Sequence, residues 1–324
     1  MSPRYLASIL LTVILGHTLA EAADPPSDQG KVERLEARVR QLESELKSLR
    51  EQFAAFQSAL DAKAGKQTTP PTQREPKKQQ ALEIQILAGD WGTAPAPNIQ
   101  AVCRSAAQAI RKYVPDQNID PISVRQSPQG PMVIYGTGSA GERRVLLNVK
   151  GTYWAQFAFQ FAHEFCHILC NYREAQNPNL WFEESLCETA SLFALRQMAE
   201  TWKTNPPYTN WKSYASALDD YANDRLKNVQ PQGMRLAEWY RQHAEALRRT
   251  GTDRAKNQVV AAALLELLED SPQDWPAVTH LNRWDKNQSL AFSDYLLDWY
   301  RRVPDKHKPF VAKVGELFDI ELKR

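Results

Sequence analysis

Residues 154–170 read WAQFAFQFAHEFCHILC, and the rest of the fold is organised around this stretch. It contains no proline or glycine, and Gly151-Thr152 precede it, with Thr152 placed to act as N-cap. Phe157, Phe161, Phe165 and Ile168 recur at helical spacing, which predicts a buried helix. His163 and His167 lie four residues apart, about 40° around such a helix, so both imidazoles leave one face and can close on one ion. Glu164, beside the first of them, is placed to take a proton from a water that the ion activates. The plainer reading is a pair of satisfied core histidines. That reading leaves Glu164 buried without a partner, which is costly.

Downstream, residues 179–190 read NLWFEESLCETA and predict a second apolar helix. A zinc ion held by three protein ligands keeps its fourth position open for water. The glutamates of this helix begin sixteen positions after His167, far enough for a turn and a return path. Glu184 and Glu188 are about 40° apart on a helix and share a face, whereas Glu183 points about 100° away from Glu184. A metal-ligating histidine usually gives its other ring N–H to a carboxylate, so a ligand followed one turn later by a supporting acid is a sensible pair. Spacing therefore predicts Glu184 as ligand, Glu188 as supporting acid and Glu183 as a bystander.

His163-Glu164-Phe165-Cys166-His167 is the HExxH pattern of zinc metallopeptidases. Joined to Trp181-x-x-Glu184-x-x-x-Glu188, it resembles the gluzincins, the thermolysin- and aminopeptidase-like enzymes whose third ligand is a glutamate. The resemblance covers residues 154–192. It implies a zincin-like catalytic domain and one Zn2+ held by His163, His167 and Glu184, with Glu164 as general base and Glu188 where a supporting acid is usual. No histidine follows His167 at the metzincin distance, and the Gly-x-Met-Glu-Asn exopeptidase signature is absent. The mode of cleavage, endo or exo, stays open. Tyr208, Tyr214, His243 and His280 are candidate donors to a developing oxyanion.

The ends of the chain read differently. Residues 1–22 resemble an export signal: Arg4, an apolar run from Tyr5 to Ala20, and small residues at Ala20-Glu21-Ala22 for cleavage. Left uncleaved, the same run would be an anchor, although it is short for a membrane span. Residues 30–62 form a heptad pattern: Val32, Val39, Leu46, Phe53 and Leu60 fall at a, and Leu35, Leu42, Leu49 and Phe56 at d. Parallel pairing would match Lys31 with Glu36, Arg38 with Glu43 and Glu45 with Arg50, so a homodimeric coiled coil is expected over a single amphipathic helix. Residues 63–80, with Pro70, Pro71 and Pro76 among polar residues, read as a linker. The catalytic domain is then 81–324, large enough for two lobes around a cleft.

Within it, strands are expected at Glu83–Leu87, Pro121–Arg125, Met132–Tyr135 and Arg144–Lys150, and a helix at Ile99–Tyr113 with Asn98 as N-cap. Beyond Trp181 the pattern is helical: Phe182–Ala199, Trp211–Leu226, Leu236–Arg248, Arg254–Leu268, Leu290–Arg301 and Pro309–Leu317. Strands first and helices afterwards predict an α+β fold, a mixed sheet with the active-site helix and then a helical lobe. Val145–Val149 is either a cleft-side edge strand able to pair with an extended peptide or an ordinary interior strand. Asn205–Tyr214 is either a binding rim or a packed connector.

With 40 basic against 38 acidic residues, no strong field selects a charged partner, and nucleic acid is not indicated. Cys103, Cys166, Cys170 and Cys187 allow three complete disulfide pairings, among them one with a Cys166–Cys187 bridge, or can remain buried thiols. The expectation is an exported, secreted or periplasmic, zinc-dependent peptidase acting on peptide or protein substrates. It self-associates through residues 32–60 and meets a membrane only if the signal is retained. The competing class is a non-catalytic coiled-coil scaffold whose metal-binding domain holds an envelope or protein partner.

Overall fold

The computed structural model describes residues 82–227, 229, 233–286 and 288–322. The export signal, the heptad segment and the linker lie outside them. The described residues form an α+β fold. Four strands, β1 (Ile84–Ile86), β2 (Ile122–Gln126), β3 (Met132–Ile134) and β4 (Arg143–Leu147), make one sheet in the order β1-β2-β4-β3. β1, β2 and β4 are parallel, with Ile122 opposite Ile84 and Arg143, while β3 runs antiparallel to β4 with Val133 opposite Val145.

This order settles the edge. β4 is interior, flanked by β2 and β3, so Val145–Val149 does not supply a cleft-side edge. The short connection from β3 folds back as a hairpin, and β2 then claims the other side of β4. Val124 and Val145 are fully buried, as central strands of a covered sheet require. The open edge next to β4 is β3.

Helix α1 (Ala96–Arg111) links β1 to β2. It begins earlier than expected, with Pro97 in its first turn and Pro95 as the N-cap, so Asn98 lies inside the helix. Proline suits a first turn because its missing N–H would have no intrahelical partner there. Helix α2 (Trp154–Leu169) carries the histidines. Phe157, Phe161 and Phe165 are fully buried, and Ile168 is half-buried. Thr152 does not cap this helix. Its N-cap is Tyr153, and the Ala155 N–H is met at 3.3 Å by the Tyr214 hydroxyl.

Helix α3 (Leu180–Trp202) is buried along most of its length and is shared by both halves of the fold. Its contacts with α2 pair Phe159 with Ser191, Cys166 with Leu186 and His167 with Glu183, an order that makes the two helices antiparallel. The lobe continues through α4 (Ala215–Leu226), α5 (Leu236–Arg249), α6 (Arg254–Asp270), α7 (Phe292–Arg302) and α8 (Lys308–Glu316). Three 3-10 segments, Thr209–Tyr214, Pro272–His280 and Asp305–His307, interrupt it. The first of these replaces the expected start of α4, and within Asn205–Tyr214 the residues Asn205–Tyr208 line a groove while Trp211 packs inward. Trp211 stacks on Trp154 at 5.1 Å and lies 5.4 Å from Trp202. Near Leu180 the chain touches Gly251, where a Cβ would stand 2.9 Å from that of Leu180, so only glycine allows this approach.

The exit from α2 governs how the lobe closes on the site. Asn171 is left-handed at φ 58°. The Tyr172 N–H donates to the His167 carbonyl at 3.0 Å and the Asn171 N–H to that of Ile168 at 3.4 Å, the paired bonds of a Schellman ending. The Asn171 amide then donates to the carbonyls of Thr279 and Leu281 at 2.7 and 2.9 Å, fixing the segment that leads into Asn282. Asn171→Gly keeps the left-handed backbone and loses both side-chain bonds, while Asn171→Ala loses the backbone preference as well. Denaturant midpoints should fall for both, the alanine variant further, by about 1–3 kcal/mol in total. Two variants as stable as wild type would remove Asn171 from the account of lobe closure.

Candidate metal centre

His163, Glu164 and His167 open together into a cleft of about 470 Å³ between the sheet's β3 edge and the helices of the lobe. Glu184 lines the same cleft, and its carboxylate faces both histidines. One oxygen lies 3.2 Å from His163 Nε2 and the other 3.6 Å from His167 Nε2. The two imidazole centroids are 5.0 Å apart. Two nitrogens of the same type and a carboxylate thus converge from two helices.

The partner of His167 departs from expectation. Its Nδ1 lies 2.8 Å from Glu183 Oε1, so the carboxylate behind this imidazole belongs to Glu183. Glu188 instead accepts from Gln258 Nε2 at 3.3 Å while lining the cleft. The reason is geometric. An imidazole points its two nitrogens in diverging directions, so the group behind it must come from a different face of the facing helix than the group in front. The roughly 100° between Glu183 and Glu184, which suggested a bystander, is the separation that lets each reach one nitrogen.

Glu183 is itself held from behind. Its Oε2 accepts from Asn282 Nδ2 at 2.6 Å, and Asn282 Oδ1 accepts from the Tyr295 hydroxyl at 2.8 Å. All four members of the chain from His167 to Tyr295 are buried. Asn282 has φ 53°, a conformation asparagine tolerates better than most residues. Nothing local around Asn282 or Tyr295 marks them, since each lies well over a hundred residues from the histidines.

The four expected oxyanion donors do not line this cleft. Tyr208 lines a separate groove on the β1 side, and Tyr214 caps α2. His243 is stacked on Trp239 with Nδ1 2.8 Å from the Trp239 carbonyl oxygen, and His280 ends a 3-10 segment. The tyrosine that does line it near the histidines is Tyr172, whose ring is 4.8 Å from that of His167 and stacked on Tyr135. Burial, reinforced by its bond to Tyr135, pushes the Tyr172 phenol up, so it stays a donor. Its place is set by the Schellman turn, which folds residue 172 back over residue 167.

Burial raises Glu164 above the ordinary carboxylate range, against the pull of His163, His167 and a bond from the Val133 backbone. That bond joins the glutamate to β3. At His167, burial disfavours the cation, but the Glu183 bond and the charges of Glu183, Glu184 and Glu164 outweigh it and bring the imidazole to about 10. At His163 burial is likewise outweighed, by the Glu184 bond and the Glu164 charge, and the value is raised. Glu184 is lowered: burial acts against ionisation, while His163, His167 and Arg254 favour it more.

A second trio brings donor atoms of His163, His167 and Cys187 within 4.8 Å of one another. Glu184 is the better third ligand for a hydrolytic ion. It faces the cleft and both Nε2 atoms, whereas Cys187 is fully buried and does not line the cleft. Two imidazoles and a carboxylate fit zinc with a position left for water. No helix among the described residues is long and apolar enough to cross a membrane. No protein-family model matches this chain, and no curated protein and no solved structure matches it.

These contacts revise the order of the glutamates. Glu184→Ala should abolish stoichiometric zinc, Glu183→Ala should weaken it by about 10–100-fold, and Glu188→Ala should change it little. Metal titrations with Glu188→Ala as the more severe of the last two would reverse this assignment. Proton linkage gives a second check. Ligation needs both imidazoles neutral, and both are raised in the metal-free protein, so zinc uptake at pH 7 should release about one to two protons and tighten as pH rises. Metal-free stability should run the other way. The His167 contribution is fully present below about 6.5 and is lost as pH rises through about 10. Calorimetry in buffers of different ionisation enthalpy measures the release, and zinc uptake without it would show the histidines to be neutral beforehand.

Proposed function

We propose that this chain is an exported zinc-dependent peptidase of the gluzincin kind. The observation that carries the reading is the convergence of His163 Nε2, His167 Nε2 and the Glu184 carboxylate in one cleft that also holds Glu164. His163, His167 and Glu184 would hold the ion, which supplies Lewis-acid polarisation of a peptide carbonyl and acidification of a water. Glu164 takes the proton of the attacking water and passes it to the leaving amine. Its raised carboxyl brings it nearer to a working general base than an exposed glutamate. Tyr172, protonated and beside His167, would turn its hydroxyl from Tyr135 to the oxyanion, the role expected of Tyr208, Tyr214, His243 or His280. Glu183, Asn282 and Tyr295 keep the His167 ring in one orientation.

The heptad segment and the linker would present this domain as a parallel dimer outside the cytoplasm. A tethered peptidase acts where it is anchored by its partner chain, on peptides or proteins brought to it. Glu164→Gln tests the reading, because it preserves shape and ligands while removing the base. Zinc content should remain at one per chain, and chelator-sensitive hydrolysis of a peptide library should fall by about two orders of magnitude or more. Zinc retained with no hydrolysis even in wild type would favour the scaffold reading instead.

A further inference from the structure

The interface that presents the histidines to the cleft has a second face. Cys166, Cys170 and Cys187 each stand three residues after one of His163, His167 and Glu184. Three residues turn a helix by about −60°, and because α2 and α3 are antiparallel the same step carries both rows to the same side of their interface. The three side chains that meet in the cleft are therefore repeated, as thiols, on the core side. Their Sγ atoms lie within 4.8 Å of one another, with Cys166 and Cys170 at 3.8 Å. All three are fully buried, and none is in a disulfide, so the Cys166–Cys187 bridge is absent.

We propose that Cys166, Cys170 and Cys187 form a second metal site, for a soft monovalent ion of the Cu(I) type. Sulfur ligands about 2.3 Å from a metal at the centre of a triangle lie about 4 Å from one another, within the spread found here. Thiolates select Cu(I), and three donors suit it, whereas zinc in a closed site takes four. His167 does not complete a fourth position here, because its Nδ1 is engaged by Glu183 and its Nε2 faces Glu184. Ligation is not a redox step. Cu(I) enters as Cu(I), and up to three thiol protons leave to solvent. Full burial means that the ion is taken up during folding or through an opening of the helix pair, and is then released slowly.

This site is separate from the peptidase reading and is tested without activity. The full chain, isolated anaerobically from copper-supplemented cells, should retain one Cu(I) against bicinchoninate. X-ray absorption at the copper edge should show three sulfur neighbours at about 2.3 Å. Copper should persist in His163→Ala and be lost from Cys187→Ser, with Cys103→Ser, a buried cysteine outside the trio, as the control. If Cys187→Ser does not fold, the wild-type absorption spectrum decides alone. Nitrogen or oxygen neighbours, no retained copper, or copper lost from His163→Ala and kept by Cys187→Ser would overturn the proposal. So would a disulfide among the three in the copper-free protein, read by counting thiols after denaturation.

Discussion

An ionisable ring buried between two helices obliges its surroundings to answer both of its nitrogens, and most of the lobe can be understood from that demand at His167. The ring is 4% exposed. Its Nε2 is turned to Glu184, so Nδ1 needs a buried acceptor, and Glu183 supplies one at 2.8 Å. That carboxylate is in turn 3% exposed, and its second oxygen would be costly if left bare. Asn282 meets it, and Tyr295 meets Asn282. One residue of this series comes from the segment after the second 3-10 helix and one from α7, so the distal helices complete a polar chain that begins at the cleft. Asn171 binds the same segment from the far end of α2. The site and the closure of the lobe are one construction.

Helix α3 bears most of the remaining load. It is buried nearly all round, as expected of a helix with neighbours on every side. Its serine and threonine hydroxyls are satisfied without bulk. Ser185 and Thr189 return hydroxyls to carbonyls one turn back, Thr189 also approaches the Ala261 carbonyl, and Ser191 donates to Phe159 on α2. These short side chains let α2 and α6 approach closely while leaving no buried hydroxyl bare. At the start of α3 the aromatic rings of Trp181 and Phe182 pack on Phe292 at 4.6 and 5.3 Å, joining the helix to α7. The glutamates of the centre follow directly on these anchored rings.

Much of this was legible in the amino-acid pattern. The stripe Phe157, Phe161, Phe165 located α2, and the strand segments and later helices fell within a few residues of their positions. That Glu184 faces the histidines was legible because the spacing on both helices obeys one geometry. What stayed hidden depends on groups distant in the chain. Glu183 was misjudged because spacing compares residues on their own helix, whereas its role is defined by a ring on another. Tyr214 displaced Thr152 at the start of α2, a substitution of one hydroxyl for another across 59 residues that no local cap rule can detect. The β4 edge could not be read, since hydrophobic pattern sets which face is buried and not which neighbour pairs. Tyr172 had a local signal, an asparagine just past a helix end, but its consequence is tertiary.

The spacing of the helices ties the two faces of their interface together. Glu184 reaches both imidazoles only because α2 and α3 run close, and small, fully buried residues recur on both helices. On α2 they include Ala158, Ala162 and Cys166, and on α3 Cys187, Ala190, Ser191 and Ala194. Interiors packed to solid density do not absorb an added methylene without moving backbone or side chains off their rotamers. A larger side chain at Cys166 or Cys187 would press the helices apart beneath the histidines and lengthen the contacts of 3.2 and 3.6 Å at Glu184. The thiol layer thus sets the aperture of the centre above it. The small size of sulfur's carrier residue and its affinity for soft metals arise from the same three positions, and either property constrains what could replace them.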